Sequence, residues 1–146
     1  MLPYHSFGAF IHELAHAKHA KLTLDKKWKR SEFESRWFKI QHQESYGKLW
    51  DLDEDEKVIW KNTTIDSQLP AFGFSSAYGN TEFKEDYAEM VMQVYEHSFS
   101  DFWYSYLKDP HYGEIYLQKL LLLREFQFID EQTFQTILGS HTYARR

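Results

Sequence analysis

Ser6-Phe7-Gly8-Ala9-Phe10-Ile11-His12-Glu13-Leu14-Ala15-His16-Ala17-Lys18-His19-Ala20-Lys21-Leu22 is the stretch that decides the fold class. Phe7, Phe10, Ile11, Leu14 and Ala15 recur at three- and four-residue intervals, which predicts a helix. His12, His16 and His19 share the neighbouring face. His12 and His16 stand one helical turn apart, so both imidazoles can reach a single metal ion. Glu13 is placed to take a proton from a metal-bound water. Composition alone produces such a five-residue match roughly 0.04 times in a chain of this size. The bland alternative is a surface helix in a histidine-rich protein.

Outward from this helix the pattern stays helical. Phe33, Trp37 and Ile40 predict a second helix over about Asp25 to Tyr46, ended by Gly47. Ser31 and Glu34 form a capping box at which it starts or restarts. Phe83, Tyr87, Val91, Val94, Tyr95, Phe102 and Tyr106 predict one long third helix, capped by Asn80 or Thr81 and stopped at Asp109-Pro110. Two more are expected, from Gly113 to Phe126 and from Asp130 as N-cap to Leu138, with Gly139 as terminator. Lys57-Val58-Ile59-Trp60 suggests a short strand or hairpin near residues 57–64, and Ser67 to Gly79 a loop. The expected class is mainly α, in one domain over residues 1–146, since no repeat, linker or low-complexity segment divides the chain.

Composition narrows the function. The chain has 146 residues, 42% hydrophobic and 27% charged, which suits a single core. Seventeen basic against 22 acidic residues give a net charge of -5, without the basic excess that binding a phosphate backbone requires, so nucleic acid is not an expected partner. The absence of cysteine removes disulfides, thiolate metal sites and cysteine nucleophiles, and leaves the compartment open. No window approaches 18 uninterrupted apolar residues and the N-terminus lacks a signal-peptide pattern, so no membrane span is expected. Aromatic residues reach 18%, most of them expected in packing. Asp51, Asp53 and Asp55 alternate as in a calcium loop. Glu56 replaces the turn glycine and Asn62 the bidentate glutamate, so a solvated acidic loop is the better reading. Asn62-Thr63-Thr64 is formally a glycosylation sequon.

A hydrolytic metal site needs a third ligand. Leu22 and His19 occupy the positions where a metzincin carries its third histidine and its glycine, which excludes that class. His5 and His19 lie on the same helical flank as His12 and His16, and read as solvated or orienting groups. Glu82, Glu85, Asp86, Glu89 and Glu96 on the third helix are the carboxylate candidates. Glu85 and Glu89 share one face; one can ligate while the other accepts a hydrogen bond from a ligand histidine, or both can be exposed acids near a helix N-terminus.

Ser76-Ala77-Tyr78-Gly79-Asn80-Thr81, followed by Glu85-Asp86-Tyr87-Ala88-Glu89, resembles the second motif of the anthrax lethal factor catalytic domain and its relatives, the Pro-Pro endopeptidases among them. In that family a Tyr-Gly turn precedes by seven residues a glutamate that completes the zinc site, as Tyr78 precedes Glu85. Glu125-Phe126-Gln127-Phe128-Ile129-Asp130 is similar to the family's C-terminal helix. The resemblance implies a helical zincin-like domain of the gluzincin type. His12, His16 and Glu85 would be zinc ligands, Glu13 the general base, Tyr78 the group facing the oxyanion and Glu89 an orienting partner. It also implies secretion. The family carries a sheet ahead of the active-site helix, whereas eleven residues precede His12 in this sequence.

The expectation is a zinc endopeptidase acting on a protein or peptide through a zinc-activated water. The alternative is a zinc-binding interaction module of the same family that recognises a partner without cleaving it.

Overall fold

The structure, a computed structural model, describes residues 3–25, 27–47, 73–76, 78–98 and 102–144. The acidic run, the sequon, the strand expected near residues 57–64 and most of the loop before Tyr78 lie outside the described residues. Those described are mainly helical, as the periodicity predicts: α1 (Pro3–Asp25), α2 (Lys27–Ile40), α3 (Phe83–Glu96), α4 (Phe102–Leu107), α5 (Gly113–Glu125) and α6 (Glu131–Ala144), with 3-10 turns at Gln43–Ser45 and Tyr78–Asn80.

α3 is the central helix. Phe83, Tyr87, Ala88, Met90, Val91 and Val94 are buried on it, and so are the polar Asp86, Glu89 and Gln93. A helix covered on nearly every side has to find partners for its polar groups, and these supply the site. α1 runs antiparallel to α3. Gly8 faces Met92 and Glu96, His12 meets Glu89, His16 meets Glu85, and the His19 ring lies 5.7 Å from that of Phe83.

The buried face of α1 is not the one its apolar pattern indicates. Phe7, Phe10 and Leu14 are 56%, 61% and 46% exposed, whereas His12, Ala15, His19 and Leu22 turn inward. The polar members of that face find carboxylates and rings on α2 and α3, which offsets the cost of burying them.

Phe33 on α2 anchors the aromatic core. It is fully buried and stacks on Phe128 at 4.9 Å, with Phe126, Trp37 and Tyr87 between 5.3 and 5.7 Å. Phe128 reaches it because α5 closes in a left-handed turn. Gln127 has φ 64°, and the Phe128 N–H donates to the Leu123 carbonyl at 2.8 Å. The stretch from Phe126 to Asp130 is thus a turn between two helices. Phe33→Ala is expected to lower the unfolding free energy by about 3–5 kcal/mol in a urea titration, since no neighbour can close the cavity without breaking ring contacts.

Other boundaries differ from those expected. α2 runs through Ser31 without restarting, because Glu34 pairs with Arg30 at 2.9 Å instead of capping. It ends at Ile40, and the chain reaches Gly47 through the 3-10 turn. The residue that begins α3 is Glu82, with no side-chain cap, so neither Asn80 nor Thr81 serves. The expected long third helix is two helices. α3 stops at His97, whose ring stacks on Phe102 at 4.3 Å, and Ser98 is a poor helix former. Asp130 does cap α6, accepting the Thr133 N–H at 2.8 Å. Gly139 does not end that helix: the space beside it is open and it needs no left-handed turn.

Candidate metal centre

The antiparallel pairing of α1 and α3 brings His12 and His16 against Glu85 and Glu89. His12 Nε2 lies 3.0 Å from Glu85 Oε1, His16 Nε2 lies 3.0 Å from the same oxygen, and the two nitrogens are 3.2 Å apart. Two N–H donors cannot face each other at that distance, so at least one imidazole presents a lone pair to the centre of this triangle. A tetrahedral zinc ion bound at about 2.0–2.1 Å holds its ligand atoms about 3.3 Å from one another. The triangle has nearly those edges, and His12, Glu13 and His16 form a group that could hold a metal ion, with donor atoms within 4.8 Å of one another.

The surroundings orient the imidazoles. Glu89 is buried, and its Oε2 accepts from His12 Nδ1 at 2.9 Å, which leaves Nε2 for the triangle. His16 Nδ1 is 3.3 Å from the hydroxyl of the fully buried Tyr87. The other oxygen of Glu89 accepts from the Ser76 hydroxyl at 2.8 Å, and Ser76 Oγ accepts the Gly79 N–H at 3.0 Å. Ser76 therefore joins the turn that carries Tyr78 to the partner of His12.

Tyr78 stands at the solvent edge of the site, 51% exposed, and donates to Glu85 Oε2 at 2.6 Å. That bond, with smaller effects of burial and neighbouring acids, pushes its phenol up to about 12, so it is a proton donor at neutral pH. Burial pushes the Glu85 carboxyl up, but the Tyr78 hydroxyl and the two imidazoles outweigh it and hold it below the usual carboxylate range. Glu13 is exposed on α1 beside the triangle.

His12, Glu13, His16, Tyr78, Glu85 and Glu89, all singled out in the sequence, thus converge on one place. The other candidates lie elsewhere. His19 packs among the rings of Phe33, Phe83 and Tyr87, where burial lowers its pKa to about 4. Glu82 is exposed at the start of α3, and Glu96 lies beside Gly8. Asp86 turns away from the triangle, to Lys119. Sequence reasoning missed Ser76, Tyr87 and Lys119. Ser76 and Tyr87 look like ordinary loop and core residues; a lysine within Leu117-Gln118-Lys119-Leu120-Leu121 was a visible anomaly.

Among the described residues no helix is long and apolar enough to cross a membrane. Comparison of the chain with protein-family models, with curated proteins and with solved structures returns no match in any of the three.

Proposed function

We propose that this protein is a zinc-dependent endopeptidase. The observation that carries the reading is the triangle of His12 Nε2, His16 Nε2 and Glu85 Oε1, with edges of 3.0–3.2 Å and Glu13 beside it. Three protein ligands leave a fourth position for solvent or substrate, the arrangement of hydrolytic rather than structural zinc sites. A bound zinc ion supplies a Lewis acid for the scissile carbonyl and brings the pKa of water near neutrality.

The chain's own groups do the rest. Glu13 takes one proton from the attacking water as its oxygen bonds to the carbonyl carbon, then delivers that proton to the amine as the C–N bond breaks. Glu89 and Tyr87 keep the Nδ1 sides of the two imidazoles engaged, so that their Nε2 atoms stay aimed at the centre. Tyr78 exchanges its bond to Glu85 for one to the developing oxyanion, which a neutral phenol can make.

Tyr78→Phe is expected to lower kcat by about 10²–10³ while the metal content of the purified protein stays unchanged; unaltered turnover removes Tyr78 from the reaction. The direct test of function is a cleavage profile on a mixed peptide library with metal-loaded protein, compared with chelator-treated protein. Cleavage that disappears with the metal supports the peptidase. One bound zinc without cleavage supports the alternative, an interaction module that uses the same site.

A further inference from the structure

Tyr116 and Lys119 stand three residues apart on α5, both completely buried, and both aim polar atoms at the same piece of backbone. The Tyr116 hydroxyl donates to the Phe74 carbonyl at 2.6 Å, and Lys119 Nζ donates to the preceding carbonyl, that of Gly73, at 2.7 Å. The ammonium also donates to Gln41 Oε1 at 2.8 Å and to Asp86 Oδ2 at 2.9 Å, which uses all three of its protons. Asp86 is the residue after Glu85. Its Oδ2 also accepts from the Tyr46 hydroxyl at 2.7 Å and from Trp37 Nε1 at 3.2 Å.

The backbone held in this way admits little else. Gly73 has φ +88°, and a Cβ there would lie 2.8 Å from Gln41 Oε1 and 3.0 Å from Ile115 Cγ2. Three residues after Gly73 comes Ser76, which bonds Glu89 and the turn at Tyr78.

A buried ion pair is a poor source of stability, because desolvation offsets its attraction. We infer that Tyr116 and Lys119 are positioning residues, a clamp that sets Ser76 and the turn at Tyr78 against the Glu85 end of α3. The inference rests on the hydrolase reading, since it assigns the clamp to the placement of Tyr78 and Glu85. One arm, through the Gly73 and Phe74 carbonyls, governs Tyr78. The other, through Asp86, governs Glu85.

The experiment separates the arms. Tyr116→Phe removes a single oxygen, and is expected to lower kcat on the best-cleaved library peptide about tenfold, with KM and cobalt affinity unchanged. In a Tyr78→Phe background the same change is expected to have no further effect, because it acts only through Tyr78. An undiminished kcat, or a loss that persists without the Tyr78 hydroxyl, overturns this arm.

For the second arm, the apolar pair Lys119→Met with Asp86→Leu keeps the volume filled and should unfold cooperatively on heating. Its affinity for Co²⁺, followed by the visible absorption of the bound ion, is expected to fall about tenfold. Native affinity in that folded variant, or in Lys119→Met alone where the pair does not fold, overturns it. A native chain that binds cobalt but cleaves no peptide sinks the hydrolase reading and leaves the cobalt titration to decide the clamp. One that binds no cobalt overturns both.

Discussion

Glu13→Gln is expected to reduce peptide cleavage by about 10²–10⁴, the contribution of a well-placed general base, while zinc measured by elemental analysis stays at one per chain. The substitution keeps the shape of the side chain and removes only its ability to take a proton. Glu13 is exposed, so little packing depends on it and folding should be untouched. The pairing of lost turnover with retained metal is what gives the experiment its force. An interaction module predicts no cleavage in either protein, and a cluster of incidental histidines predicts no metal in either. Retained cleavage in Glu13→Gln would transfer the proton to another group and remove the reason for reading the sequence between His12 and His16 as catalytic.

Glu85→Ala is expected to weaken zinc binding by far more than the about 10–100-fold that loss of an orienting partner costs, whereas Glu89→Ala should stay within that range. The difference follows from what each carboxylate touches. Glu85 Oε1 is one corner of the triangle, 3.0 Å from both imidazole Nε2 atoms. Glu89 meets only the far side of His12, at Nδ1. A competition titration against a chromogenic chelator reads both affinities on one scale. If Glu89→Ala proves the more damaging, Glu89 becomes the ligand and Glu85 the orienting group. Equal and small effects would mean that neither carboxylate binds metal.

Much of the site was legible because its spacing is local. Two histidines four residues apart on a helix face the same way whatever packs on them, and so do Glu85 and Glu89. Which of the four acids on α3 turns to the histidines was not local. Asp86 and Glu85 are neighbours in sequence, yet one is drawn to Lys119 and the other to His12 and His16, through partners 33 and 73 residues away. The break after α3 was hidden for a related reason. Phe102 and Tyr106 continue the helical period in number, and only the stacking of Phe102 on His97 shows that the chain has turned.

The amino-acid sequence alone determined that the chain is mainly helical, that His12 and His16 form a pair with Glu13 beside them, and that Glu85 and Glu89 share a face, because a 3.6-residue period requires each of these. Only the tertiary structure decided which face of α1 is buried. Phe7, Phe10 and Leu14 are the more hydrophobic set, but the surface that α3 offers carries Glu85 and Glu89 as well as Tyr87. The face that satisfies those carboxylates is the one with His12 and His16. Hydrophobic periodicity reports a helix's own preference, whereas burial is settled jointly with the partner, and a buried carboxylate without a hydrogen-bonding neighbour costs more than an exposed phenylalanine.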